Sequence, residues 1–331
     1  TLNAMADTPQ TGRVDAFGGQ ADLRAGLIRC VGDPTTRFTE DALRILRALR
    51  FAATYGFTLD PATAEAARAL APTLTSVAAE RIRAELAKLL CGRAAADVLR
   101  AYPDIVGVVL PELLPMIGFE QHTPYHRYDV WEHTLRALAA SPAEEILRWT
   151  LLLHDSGKPD VFTLDAAGVG HAYGHQKRSR ELAEQVLTRL KVDRATYEAV
   201  VTLVEKHDIP LEAERPVMAH RLHQLGETNL RRLIAVQRAD ALGKGTMDET
   251  VIENVTEARI SLLDRLLAEN ACVSLKQMAV DGRALLQSGI PAGPVVGRIL
   301  NALLAEVMAE RLPNERDALL RRAAELLSKE G

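Results

Sequence analysis

The sequence predicts a mainly α-helical chain opened by a short α/β stretch, and three observations carry that expectation. From Phe38 onward Leu, Ile and Ala recur at helical spacing in runs closed by Gly or Pro. Aromatic residues make up only 4%, as expected of Ala- and Leu-packed helices rather than sheets. Before Phe38, Gly12, Gly18, Gly19, Gly26 and Gly32 separate the short apolar stretches RVDAF and GLIRCV, which read as short strands joined by turns.

Taken in order, FTEDALRILRALRFAATYGF, PATAEAARALAPTL, SVAAERIRAELAKLLCG and AAADVLRAY each carry a helical apolar face. The segment VVLPELLPMIGFEQHTPYHRYD, broken by three prolines, reads as a connector. Helical patterning resumes through YDVWEHTLRALAA, EEILRWTLLLHD, HQKRSRELAEQVLTRL, DRATYEAVVTLVEKHD and NLRRLIAVQRADALG. Further helices follow around SLKQMAVDGRALLQSGIPAGP and in a charged C-terminal segment. The expected divisions are residues 1–33, 34–110, 111–125 (connector), 126–245 and 246–331.

A length of 331 residues with 47% hydrophobic and 25% charged residues is that of an ordinary globular chain with room for about two or three domains. Cys30, Cys91 and Cys272 lie far apart without CxxC spacing, so a reduced, cytoplasmic protein without disulfides is expected. The apolar runs are too short and too broken by proline to span a bilayer, so no membrane partner is expected. The net charge of -4 hides an asymmetry: residues 1–110 hold 13 Lys/Arg against 12 Asp/Glu, the remainder 27 against 32. Any nucleic-acid surface is therefore expected in the first third. The opening Thr1-Leu2-Asn3 lacks a methionine, and the stretch is read as N-terminally truncated.

The sharpest chemical signal is His154-Asp155 in LLLHDSGKP, with His133, His175, His207 and Asp240 around it in sequence. Imidazole nitrogen and carboxylate oxygen without cysteine suit magnesium, manganese or another transition metal in a site that keeps water as a ligand. A lone histidine is an ordinary core residue, but these ligands fall on five predicted helices that could converge, four of the positions near helix ends. Asp155 is expected to share a metal with His133, His154 and Asp240, while His175 and His207 complete a second position or bind substrate phosphate. The bound cation would make nearby water more acidic and polarise a phosphoryl oxygen. Lys158 would hold phosphate as a point charge, or else be a solvent-facing lysine at a helix C-terminus. The blocks YDVWEHTL, LLLHDSGKP, GHQKRS, VEKHD and QRAD resemble the HD superfamily of metal-dependent phosphohydrolases. That resemblance implies phosphomonoester or phosphodiester hydrolysis at a mono- or dinuclear divalent site, and His154, Asp155 and Lys158 are the catalytic residues expected there.

A second signal is Asp41, Arg44, Arg47 and Arg50, which recur every third residue opposite Leu43, Ile45, Leu46 and Leu49. Such a ridge is either a solvated face or a nucleotide-contacting one. An ionised Asp41 accepts and Arg44 donates, a pattern that matches an exocyclic amine beside a ring nitrogen, the edge shared by cytosine and adenine. Uracil and guanine present a carbonyl where Asp41 needs a donor.

The blocks TLNAMA, DAFGGQADL, GLIRCVGDPTTRFTEDALRILRALRFAATYGF and AAERIRAELAKLL resemble bacterial class II tRNA nucleotidyltransferases, CCA-adding enzymes of the poly(A) polymerase type. SLKQMAVDGRALLQSGIPAGPVVGRIL resembles the C-terminal segment of members with an HD domain. The resemblance implies a head remnant at residues 1–33, a helical neck and body at 34–110 that binds nucleotide and tRNA, an all-helical HD domain at 126–245 and a helical tail. It also implies CTP, ATP and Mg2+ in the intact parent, with Asp41, Arg44, Arg47 and Arg50 on the nucleotide and Arg81 and Glu85 supporting the neck. The Asp-x-Asp pair on which the family's transfer chemistry depends is absent from these 331 residues. A free-standing HD nucleotidase and a non-catalytic RNA-binding scaffold stay open as alternatives.

Overall fold

The computed structural model describes residues 1, 4–8 and 12–330; Leu2 and Asn3 of the TLNAMA block lie outside them. The chain is mainly helical, as expected, and divides into two compact units, residues 1–208 with 235–249, and residues 209–234 with 250–331.

The first unit opens on strand β1 (Ala6–Thr8) antiparallel to β2 (Gly12–Val14). Helix α1 (Gly19–Ala25) follows, where short strands and turns were expected. The carboxylate of Asp15 explains it by accepting from Gly19 N at 2.6 Å and Gln20 N at 2.8 Å, occupying first-turn donors that a helix leaves free. Gly26 ends the helix with a left-handed φ of 65°, which glycine adopts without cost. Strand β3 (Leu27–Ile28) then pairs in parallel with β4 (Thr58–Leu59).

The expected helix from Phe38 is two helices. Helix α2 (Pro34–Glu40) is capped by Asp33, and α3 (Leu43–Tyr55) starts after a break at Asp41, whose backbone is extended (φ -155°, ψ 102°). Leu43, Ile45, Leu46 and Leu49 face the core as the pattern predicted, and α3 packs against α5 (Ala79–Leu90) and α6 (Ala95–Ala101). Helices α4 (Pro61–Leu70) and α7 (Pro103–Val109) complete this part.

The proline-rich connector is a 3-10 turn (Pro111–Met116) followed by irregular chain up to α8 (Val130–Ala140), which Asp129 caps. Helix α9 (Glu145–Leu153), the short α10 (Lys158–Val161), a hairpin of β5 (Thr163–Leu164) and β6 (Gly170–His171), α11 (His175–Arg189) and α12 (Arg194–Lys206) follow. Helix α13 (Arg215–Lys244) contains a non-helical Gly226, and its last part belongs to the first unit. There Val236 and Ala239 pack with Ala137, Leu147 and Leu151, which fixes Asp240 against α8 and α9.

The second unit contains the start of α13, α14 (Glu249–Ala268), α15 (Gly282–Gln287), α16 (Pro294–Met308) and α17 (Arg316–Glu330). Leu263, Leu285, Leu303 and Leu319 are among its fully buried residues, and Arg215 bridges Glu269 at 2.6 Å and Glu310 at 2.7 Å. Among the described residues no helix is long and apolar enough to cross a membrane.

Candidate functional site

The six proposed metal ligands meet in the first unit. His133 lies in the first turn of α8, His154 at the C-terminal cap of α9 with Asp155 next, His175 at the first position of α11, His207 at the C-terminal cap of α12 and Asp240 near the end of α13. Asp155 stands in the centre. Its Oδ2 is 3.2 Å from His133 Nε2 and 3.3 Å from His154 Nε2, while its Oδ1 is 3.3 Å from His175 Nε2 and 3.7 Å from His207 Nε2. Asp240 Oδ1 closes the first group, 3.0 Å from His133 Nε2 and 3.4 Å from His154 Nε2. Two ligand groups thus share one carboxylate: His133, His154, Asp155 and Asp240, and Asp155, His175 and His207.

The histidine orientations suit a cation. A backbone carbonyl can only accept, so a ring nitrogen beside one carries the proton. Nδ1 of His154 lies 2.7 Å from Leu151 O, Nδ1 of His175 2.9 Å from Ala172 O and Nδ1 of His207 2.8 Å from Val204 O. Each contact reaches back three residues, and each turns Nε2 inward. Neither carboxylate oxygen of buried Asp155 receives an aligned hydrogen bond, although Lys158 Nζ lies 2.6 Å from Oδ2. The distance marks a strong charge contact; the missing alignment leaves the oxygens' lone pairs uncommitted.

Charge in the site is balanced by the ammonium groups of buried Lys158 and partly exposed Lys244. Lys158 is 8% exposed, so the solvent-facing alternative fails, and its Nζ also meets Gln121 Oε1 at 2.8 Å. Lys244 Nζ lies 2.7 Å from Asp240 Oδ2. Burial would raise the Asp155 carboxyl, but His154 and Lys158 hold it well below the usual range; Lys244 and His133 do the same for Asp240. Burial would lower His154, yet Asp155 and Asp240 push it up to about 10. For His207 burial dominates, followed by the charge of His154, and lowers it to about 4. His126, 3.4 Å from Lys158 Nζ, is lowered by burial and then by that ammonium to about 3.

Gln121, His126 and Lys244 escaped the sequence reading. Gln121 and His126 stand in the connector, where only the histidine's position seven residues before His133 offered a signal, and Lys244 lies one helical turn after Asp240. All three line a cavity of about 320 Å3 together with Asp155, Lys158 and His175. Gly157 lets the start of α11 approach the chain beside Asp155: a Cβ there would lie 2.5 Å from Ser179 N and 2.8 Å from His175 O. Gly157→Ala should therefore push back the start of α11 and its His175, lowering stability by about 1–3 kcal/mol, as overpacking does, together with metal affinity. A thermal melt and a manganese titration check both effects.

The arginine set is arranged differently from the expected ridge. Asp41 sits in the break between α2 and α3, where its carboxylate accepts from Arg81 Nη2 at 2.8 Å and Leu43 N at 3.2 Å. The Arg81 hydrogen bond holds it below the usual carboxylate range. Arg44 instead pairs with Glu40 and donates to Arg37 O at 3.0 Å. The Asp41–Arg44 template is not assembled here, because the helix break turns the carboxylate toward α5. Arg50 also leaves the ridge: its Nε donates to Glu85 Oε2 at 2.6 Å and its guanidinium lies 3.9 Å over the Phe51 ring. Arg44 and Arg47 line a cavity of about 280 Å3 with Arg29 and Arg37. Arg47 is exposed and has no ion-pair partner among the described residues.

Comparison with known proteins agrees with this architecture. Residues 56–113 match the family described as "Probable RNA and SrmB- binding site of polymerase A", and residues 175–323 match "tRNA nucleotidyltransferase domain 2 putative". The A-adding tRNA nucleotidyltransferase of Deinococcus radiodurans is 33% identical over 344 residues, which cover 98% of this chain and 77% of that protein. The CCA-adding enzyme of Levilactobacillus brevis is 30% identical over 320 residues, covering 97% and 69%. The crystal structure of the Bacillus stearothermophilus CCA-adding enzyme in complex with CTP shares the fold, with a TM-score of 0.70 at 24% identity over 100% of this chain and 73% of that one. On its identity to these relatives over nearly its whole length, the chain belongs to the family of tRNA nucleotidyltransferases of the class II, poly(A) polymerase type.

Proposed function

We propose that these residues join a nucleotide- and tRNA-binding helical region to a metal-dependent phosphohydrolase of the HD type. The observation that carries the second part is the shared carboxylate: Asp155 presents one oxygen to each of two histidine groups whose Nε2 atoms are turned inward. Nitrogen and oxygen donors of this kind fit manganese, magnesium or another divalent transition ion. Bound there, such an ion would polarise a phosphoryl oxygen and supply an acidified water. The chain's own residues then divide the work. His133, His154, Asp155 and Asp240 would hold one ion, and His175 and His207 with Asp155 a second. Lys158, braced by Gln121, offers its ammonium to the phosphate in exchange for Asp155 Oδ2. The substrate class is a phosphate ester on an RNA end, a 2',3'-cyclic or terminal phosphate.

In the first part, Arg44 and Arg47 would contact nucleotide phosphate within the four-arginine cavity. Asp41 would read a base edge once released from Arg81, and Arg50 supports the fold through Glu85. CTP, ATP and tRNA are the partners proposed, on the strength of the relatives that add nucleotides to tRNA and of the CTP-bound neighbour. The transfer chemistry itself is not assigned to residues here, because no Asp-x-Asp pair occurs in the sequence. A compartment that keeps thiols reduced, such as the cytoplasm, fits the free Cys30, Cys91 and Cys272.

Incubation with manganese and adenosine 2',3'-cyclic phosphate tests the hydrolase: release of a nucleoside monophosphate, stopped by EDTA, supports it, and no release with any divalent metal refutes it. The metal step has a pH signature. His154 is held protonated in the metal-free chain, up to about 10, and must lose that proton to ligate. Each ion bound at the first group should thus release about one proton, and affinity should rise about tenfold per pH unit between pH 6 and 8. Calorimetric titrations in buffers of different ionisation enthalpy measure the released proton.

A further inference from the structure

The mouth of the metal cavity carries a ring that the chemistry described so far does not use. Tyr173 is 78% exposed in a chain where aromatic residues are 4% of the total. It is held in place nonetheless. Its ring stacks on the His171 imidazole with centroids 5.1 Å apart and planes 7° from parallel. His171 Nε2 in turn lies 3.0 Å from Asp165 Oδ2, and the other oxygen of Asp165 accepts from Ala167 N and Val169 N, both at 2.9 Å. The hairpin that carries His171 and leads into Tyr173 is clamped: Gly170 N donates to His122 O at 2.8 Å, and a Cβ on Gly170 would lie 2.1 Å from Gln121 O.

Tyr173 therefore has one face on His171 and the other open at the entrance, and it stands two residues before the proposed ligand His175. Two residues of chain span at most about 7 Å. A phosphate held at Asp155 and His175 thus leaves a ring attached to the same sugar within reach of Tyr173. Both rings line the same cavity as Asp155, Lys158 and His175. Stacking on a preset ring costs little ordering entropy and accepts any base, since each presents a π-face.

We propose that Tyr173, backed by His171, is the specificity-determining platform on which the nucleobase of the substrate stacks, so that the site prefers phosphate esters bearing an unpaired base. This rests on the phosphohydrolase reading of the metal site. Loss of one base stack is worth about 1–3 kcal/mol, or about 5- to 150-fold. Tyr173→Ala should raise KM for adenosine 2',3'-cyclic phosphate by at least about fivefold with kcat unchanged. Hydrolysis of glycerol 1,2-cyclic phosphate, which has no base, should be unaffected, and Tyr173→Phe should match the wild type. Equilibrium binding of adenosine 3'-monophosphate, compared with inorganic phosphate, gives a readout apart from turnover and should weaken in Tyr173→Ala for the nucleotide alone. An unchanged KM and unchanged nucleotide binding overturn the platform, as does an equal loss on both cyclic esters, which marks a merely structural role. Absence of hydrolysis with Tyr173-dependent nucleotide binding intact refutes the hydrolase and sustains the platform.

Discussion

Asp155→Asn should reduce manganese-dependent phosphodiester hydrolysis by about a thousandfold or more, the scale on which loss of a group acting within one catalytic unit is felt. The substitution keeps the volume of the side chain but replaces a shared anion by a neutral amide. Two oxygens then no longer draw both histidine groups together, and one of them becomes an NH2 that points its hydrogens at imidazole nitrogens. The same change leaves the Lys158 ammonium buried beside a neutral partner, so stability should fall as well, by about 2–4 kcal/mol. Separating the two effects is straightforward: urea denaturation in EDTA reads the second, and turnover at a temperature where the variant stays folded reads the first. Full activity in a folded Asp155→Asn chain would contradict the proposed centre.

Arg50→Ala should lower stability by about 2 kcal/mol, between the values for an exposed ion pair and for one member of a fully buried pair left alone. The Arg50 and Glu85 side chains are 17% and 13% exposed, and their contact joins α3 to α5. Removing the guanidinium strands the Glu85 carboxylate and uncovers Phe51. The urea midpoint should fall without a change in m-value. Replacing both partners by leucine should recover most of the loss, since an apolar pair carries no desolvation penalty. Arg47→Ala, on an exposed side chain, should leave the midpoint unchanged and weaken nucleotide or tRNA binding instead, with a reduced salt dependence. Equal destabilisation by both variants would refute this division of labour.

The helices could be read from the sequence because their apolar spacing and their caps are local properties. Leu43, Ile45, Leu46 and Leu49 face the core as their spacing required, and the ligands expected on five helices do converge. The break at Asp41 was not legible, because FTEDALRILRALRF keeps an unbroken helical period through it; the Arg81 side chain that holds Asp41 comes from forty residues away. For the same reason the contacts of Asp41 with Arg81 and of Arg50 with Glu85 could not be read from the spacing of the ridge. Helix α1 was hidden because two glycines suggested turns, while its cap comes from Asp15 upstream. Lys158 was ambiguous until Gln121 and Asp155 were seen around it. Gln121 gave no signal of its own and His126 only its spacing before His133, since irregular chain has no period to place them.

The central claim is that one carboxylate serves two cation positions, and a manganese titration of the metal-free chain followed by electron paramagnetic resonance tests it most directly. The account predicts two ions per chain with a coupled spectrum, and loss of the coupling in Asp155→Asn. Failure of the wild-type chain to bind manganese, or ions that bind without coupling and are indifferent to Asp155, would contradict it.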